Sequence, residues 1–243
     1  MISPGDNAFP GQPLALPAGR FLTQGMCSEA FPLLARVTFD VAHYHPRDFG
    51  RYAIPCPQAV RFASPKRQAE YLASRWLAGS VFSRYGIPDF VLTNNKDRSP
   101  CWPAGFSGSL SHSTGTAFLL ADDQGRLTGC DVEQWVSPQT AEEITGLLMN
   151  EQEKLLLTAC SLPWPVAVTV LFSLKESLYK ALWPLVRRYI DFLQAEVTAF
   201  DPDTGHASLR LRETLGETLP RDRGFPARFL RTETQVFSWI VAG

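Results

Sequence analysis

Several groups of residues in this chain have the types and spacing to do chemistry. The stretch Phe172-Ser173-Leu174-Lys175-Glu176-Ser177-Leu178-Tyr179-Lys180-Ala181-Leu182-Trp183-Pro184 reads as one helix ended by proline. Glu176 falls inside its aromatic stripe of Phe172, Tyr179 and Trp183, where a carboxylate is costly unless a cation, a metal or a proton compensates it. Lys180 follows at the i,i+4 spacing that lets the two meet. Either Glu176 is a core glutamate satisfied by Lys180, or it is a base or metal ligand. Asp131 and Glu133 alternate on an extended segment, so both project from one face about 7 Å apart. Such a pair suits a hard divalent cation, or else is an ordinary solvated strand face. Lys66 and Arg67 sit at the start of a helix, the end where the macrodipole is already positive. They are solvated surface cations or, with the free N–H groups there, an anion site that Arg75 two turns on could join. His112 lies among small residues, Ser107-Gly108-Ser109-Leu110-Ser111-His112-Ser113, where a ligand can approach the backbone.

The elements that must position these groups are legible from pattern. Leu171, Leu174, Leu178, Leu182 and Leu185 give the helix of Glu176 a second apolar face, so it should be mostly buried. Ser64-Pro65 is an N-cap followed by proline at the first helical position, with Ala69, Leu72, Ala73, Trp76, Leu77 and Ser80 as the inner face. Residues 1–34, rich in Pro and Gly, should wrap the surface with little regular structure. Arg36–Val41 reads as a first strand. Ala117–Ala121 and Arg126–Glu133 read as a hairpin around Asp122-Asp123-Gln124-Gly125. Helices should open at Ser137-Pro138 and at the capping-box spacing of Asn150 and Glu153. Strands are expected over Gln194–Phe200, Ala207–Arg212 and Phe225–Ala242. The fold class expected is α+β, as two similar, pseudo-twofold related halves, each a small antiparallel sheet with a long helix. The halves are placed at 1–120 and 121–243.

Composition narrows the partners. A chain of 243 residues with 45% apolar and 19% charged residues is ordered and has a real core. A net charge of -1 leaves no basic field for nucleic acid. Five scattered cysteines without metal-ligand spacing read as reduced thiols of a cytoplasmic protein. No signal peptide and no transmembrane segment is visible.

Gly129-Cys130-Asp131-Val132-Glu133, followed some forty residues later by Phe172-Ser173-Leu174-Lys175-Glu176-Ser177-Leu178-Tyr179-Lys180-Ala181, resembles the signature of phosphopantetheinyl transferases. Lys66–Arg75 and Trp102–Ser113 resemble the siderophore-synthesis, or enterobactin synthase component, branch of that family. The one departure in the signature is Cys130, where Ile or Val is usual. The resemblance implies transfer of the phosphopantetheine arm of coenzyme A to a serine of an apo carrier protein. It implies Mg²⁺, with Mn²⁺ as the alternative ion, held by Asp131, Glu133 and Glu176. Glu176 would complete the metal shell or take the serine proton, directly or through water. Lys175 and Lys180 would steady the pyrophosphate and Glu176. Arg67, Arg75, Arg98, Ser111 and His112 would bind coenzyme A. Both halves are fused in one chain, so a monomer suffices.

A rival reading is a non-catalytic module that binds coenzyme A or a carrier protein. Such a copy should lose metal-binding carboxylates first, and all three are present. No P-loop or kinase signature supports another Mg²⁺-dependent phosphoryl transfer.

Overall fold

The structure is a computed structural model that describes residues 9–243. The chain divides into two compact units, with the division between Gly125 and Arg126.

The first unit is built on an antiparallel sheet. Its strands are β1 (Gln12–Pro13), β2 (Leu22–Cys27), β3 (Leu33–Phe39), β6 (Ser107–Ser113) and β7 (Thr116–Asp122), in the order β1-β2-β3-β7-β6. Short helices α1 (Asp48–Arg51) and α2 (Gln58–Arg61) precede α3 (Pro65–Arg84). Two short strands, β4 (Thr93–Asn94) and β5 (Pro100–Cys101), pair beyond it. Ser64 caps α3 by accepting from the Arg67 N–H, and Pro65 follows at the helix start, as the sequence pattern requires. Ala69, Leu72, Leu77, Ala78, Val81 and Phe82 of α3 are fully buried with Leu33, Ala35 and Val37 of β3 and Ala117, Leu119 and Ala121 of β7. Small residues on both elements let the helix lie close to the sheet. β6 turns into β7 through Thr114-Gly115, with Gly115 at a φ of 72°.

The second unit starts with β8 (Leu127–Gln134) and continues through α4 (Pro138–Leu148), α5 (Glu151–Thr158) and α6 (Trp164–Val186). Strands β9 (Ala195–Asp201), β10 (His206–Leu211), β11 (Gly224–Arg231) and β12 (Gln235–Ala242) complete an antiparallel sheet of order β8-β12-β11-β10-β9. Val168, Leu171, Leu174, Leu178 and Leu182 of α6 fill its core against Val236, Ile240, Phe229 and Leu209. Gly129 of β8 meets α6 at backbone distance. A Cβ at this position would overlap the Ser177 carbonyl oxygen and lie 2.6 Å from the Ala181 nitrogen. A buried hydroxyl cluster ties the same side of α6 to β12: Ser238 Oγ lies 2.7 Å from both Ser173 Oγ and Ser177 Oγ.

The α+β class and the sheet-plus-long-helix plan of each unit agree with the sequence pattern. Four readings need correction. β7 and β8 do not form a hairpin, because β7 pairs with β3 and β6 while β8 pairs with β12. The turn at Asp122–Gly125 therefore joins two sheets, and a boundary at 120 would cut through β7. The region before 34 holds β2, which its Pro/Gly richness conceals; residues 1–8 lie outside the described residues. Pro184 does not end α6. The helix runs to Val186 and stops at Arg187, whose backbone is left-handed at a φ of 51°. In the last turn proline removes a single helical hydrogen bond, which the packing of α6 outweighs. Leu185, just beyond, is 49% exposed and leaves the apolar face.

The Gly129 contact yields a direct expectation. Gly129→Ala should destabilise the protein by about 3 kcal/mol or more, because the added methyl meets backbone and not a movable side chain. Denaturant unfolding measures this. A loss below about 0.5 kcal/mol, the range of ordinary surface changes, would contradict so close an approach.

Candidate active site

In the second unit β8 and α6 bring four charged side chains into mutual range. Asp131, Cys130 and Val132 are all buried, so β8 is covered on both faces. That excludes a solvated strand face for Asp131. The Lys180 amine lies 2.6 Å from Asp131 Oδ1 and donates to the Cys130 carbonyl at 3.1 Å. Lys180 thus reaches across to the strand, where the i,i+4 spacing had paired it with Glu176. Burial pulls the Lys180 amine down, but Asp131, the Cys130 group and Glu176 outweigh it and hold it above the ordinary lysine range. Burial also pushes the Glu133 carboxyl up to about 7, with Asp131 and Glu176 adding to the rise and Lys180 opposing it. Glu176, half-buried, is raised by burial and by Asp131 against the pull of Lys180. Cys130, the departure from the usual motif, is fully buried on the core face.

The donor set suits a hard divalent cation: three crowded carboxylates in partial burial, whose repulsion a cation relieves. Among the described residues, no three His, Cys, Asp or Glu side chains converge closely enough to hold a metal ion as they stand. The carboxylates are brought together electrostatically and not as a closed ligand cage.

Lys175 requires a correction. Its side chain is buried, and its amine is bound to Glu153 Oε1 at 2.8 Å and to the carbonyls of Leu148, Phe192 and Ala195 at 2.8, 2.9 and 3.0 Å. Burial depresses this amine, with Glu153 opposing. An ammonium has three protons, and these acceptors use them all. Lys175 is not placed to bind pyrophosphate.

In the first unit, Arg67 and His112 do meet. Arg67 Nη1 lies 2.5 Å from His112 Nε2 and 3.4 Å from Glu70 Oε2. A guanidinium can only donate, so Nε2 accepts and the imidazole proton resides on Nδ1, which lies 3.6 Å from Glu70 Oε2. Half of the Arg67 side chain is exposed. Arg75 is buried: its guanidinium stacks on Tyr71 and donates to the Leu92 carbonyl, Ser74 Oγ and, at 2.6 Å, Asn94 Oδ1. Arg98 is exposed in the turn between β4 and β5, at a φ of 69°. Ser111 is buried, and strand alternation points it to the face opposite His112. The residues that sequence reasoning passed over are Glu70, Glu153, Gly129 and Asn94. Glu153 carried a signal, its capping-box spacing, but that spoke of helix start and not of a partner for Lys175; Gly129 stood in the signature motif, but nothing there spoke of a packing role.

Two family models match the chain. The 4'-phosphopantetheinyl transferase N-terminal domain covers residues 57–122, and the 4'-phosphopantetheinyl transferase superfamily covers residues 128–229. The chain is 33% identical over 214 residues to enterobactin synthase component D of Salmonella typhimurium, covering 86% of each chain. It is 35% identical over 155 residues to the 4'-phosphopantetheinyl transferase Svp of Streptomyces mobaraensis, covering 63% of this chain and 62% of that one. A third similarity, 30% over 143 residues, is to the 4'-phosphopantetheinyl transferase PptT of Mycobacterium tuberculosis, covering 58% of this chain and 62% of that one. The chain belongs to the phosphopantetheinyl transferase family and is an enzyme of that type. Among the described residues, no helix is long and apolar enough to cross a membrane.

The Asp131–Lys180 contact can be tested without substrate. Lys180→Met should cost about 3 kcal/mol, near the lower end for a broken buried pair because a quarter of Lys180 is exposed. Adding Asp131→Asn should recover much of that loss. A Lys180→Met protein as stable as the parent would show that the amine does not compensate Asp131.

Proposed function

We propose that this enzyme moves the phosphopantetheine arm of coenzyme A onto a serine of an apo carrier protein and releases adenosine bisphosphate. The carrier would be a peptidyl, aryl or acyl carrier of siderophore, non-ribosomal peptide or polyketide synthesis. The observation that carries the reading is the cluster of Asp131, Glu133 and Glu176 around Lys180. It sits on the two elements that hold the family signature.

The serine Oγ attacks the phosphorus that bears the pantetheine arm. The bond from that phosphorus to the bridging oxygen breaks, and the leaving phosphate carries the charge away. Glu176 takes the serine proton, directly or through one water. Its raised affinity for protons, caused chiefly by burial, moves it toward the range in which a general base works near neutral pH. Asp131, Glu133 and Glu176 would hold Mg²⁺ (or Mn²⁺), which when bound neutralises charge on the pyrophosphate. Lys180 keeps one positive charge fixed beside Asp131 and in range of Glu176. Arg67, Arg98 and His112 bind coenzyme A phosphates: an arriving phosphate displaces His112 Nε2 as the acceptor of the Arg67 proton, and the freed Nε2 takes up a proton from solvent and donates it to the phosphate. Arg75 adds positive charge on the same helix, held in place by Tyr71 and Asn94. The three carboxylates weigh against a non-catalytic binding module, which would have no use for them.

The test is incubation with labelled coenzyme A, Mg²⁺ and a panel of apo carrier proteins. Transfer should stop in chelator. Glu176→Gln keeps the shape and removes the basic oxygen, so turnover should fall about 100- to 10,000-fold. Coenzyme A binding should change far less, because Arg67, Arg98 and His112 remain. A Glu176→Gln enzyme that modifies a carrier near the parent rate would refute the role of this carboxylate.

A further inference from the structure

Glu153 lies outside the signature motifs, at the start of α5, yet it is fully buried and charged with Lys175. Its two oxygens are both occupied. Oε1 accepts from the Val197 N–H at 2.8 Å, Oε2 accepts from the Asn150 N–H at 3.0 Å, and Lys175 donates to the carboxylate. Lys175 in turn holds the end of α4 through Leu148 and the approach to β9 through Phe192 and Ala195. One buried ion pair therefore fastens α6 to α4, α5 and β9 together.

The location on the helix matters. Lys175 and Ser177 are two positions apart, which places them about 160° from each other around α6. Ser177 faces Gly129 and Ser238, so the sheet grips that side. Lys175 is gripped from nearly the opposite side, and Glu176 is the residue between them. Small residues and hydroxyls on the sheet side fix how close α6 lies. Being short, they act near the helix axis and oppose rotation less than the long tethers do, Lys180 to Asp131 on β8 being one of these. A long side chain anchored at its tip by five acceptor atoms resists it strongly.

We propose that Glu153 and Lys175 are positioning residues. Their buried pair sets the rotation of α6, and with it the direction in which Glu176 and Lys180 face Asp131. The proposal rests on the reading of Glu176 as the group that carries the chemistry. A carboxylate displaced by about 1 Å can cost on the order of 100-fold in rate.

The experiment compares steady-state kinetics and thermal unfolding of Glu153→Gln, Glu153→Asp, Leu157→Ala and Glu176→Gln in the full chain. Leu157 is a buried neighbour on α5 whose side chain is apolar and belongs to the core, so its variant reports loss of stability alone. Glu153→Gln should lower kcat about 10- to 100-fold while KM for coenzyme A stays within about 3-fold. Leu157→Ala, assayed below its melting temperature, should keep kcat. If Glu153→Gln does not fold, Glu153→Asp keeps the charge but shortens the reach, and its kcat should fall with KM unchanged. Unaltered kcat in the folded Glu153 variants, or an equal fall in Leu157→Ala, would overturn the proposal. If Glu176→Gln itself stays active, the reading of Glu176 fails and this inference goes with it. A dead Glu176→Gln beside fully active Glu153 variants sinks the positioning role alone.

Discussion

The site in the second unit depends on one steric constraint: α6 lies against β8 so closely that the strand has no room for a side chain at Gly129. With backbone against backbone there, Lys180 spans from the helix to Asp131 on the strand. A bulkier residue would push α6 outward, lengthen that reach, and open the site to water. The glycine of the signature is a packing residue whose effect is electrostatic. It keeps three carboxylates and one ammonium in a partly buried space, where charges act on each other more strongly than in water.

The charges then determine one another. Asp131 is buried and adjacent to an ammonium. Glu133 and Glu176 are pushed toward the neutral form by burial, and Asp131 adds to both. Such a cluster costs free energy to fold, which the apolar core around Leu171, Leu174, Leu178 and Leu182 offsets. It is also a poised arrangement: a cation would relieve the repulsion, and a proton acceptor is already half desolvated. The other charged pair on α6, Lys175 with Glu153, has no such latent capacity because its donors and acceptors are all used. Neighbouring lysines of one motif thus go to different partners, one to the carboxylate cluster and one into the core.

Much of the fold was legible because its signals are local. Ser64-Pro65, Ser137-Pro138 and the Asn150–Glu153 capping box each open a helix where the pattern puts it. The alternation in β8 placed Asp131 and Glu133 on one face, and the two motifs placed Glu176 and Lys180. What was hidden is tertiary. Helical spacing paired Lys180 with Glu176, yet its amine goes to a strand some fifty residues earlier, where a buried aspartate draws it more strongly. Lys175 reads as one more cation of a catalytic motif, and only the structure supplies Glu153 and three carbonyls around it. A hairpin signal at Asp122–Gly125 describes the turn correctly but not the partners of the strands it joins. Local chemistry can choose a turn; which sheet a strand enters is decided by the core it must cover.

In the proposed reaction Asp131 on β8 and Glu176 on α6 would act as one unit. The most direct measurement is a double-mutant cycle on kcat for carrier modification, using Asp131→Asn, Glu176→Gln and the double variant. Residues that work as a unit are strongly non-additive. The double variant should be about as slow as the worse single variant if the two act together. Losses that multiply, with the double variant slower by the product of the two single effects, would contradict it.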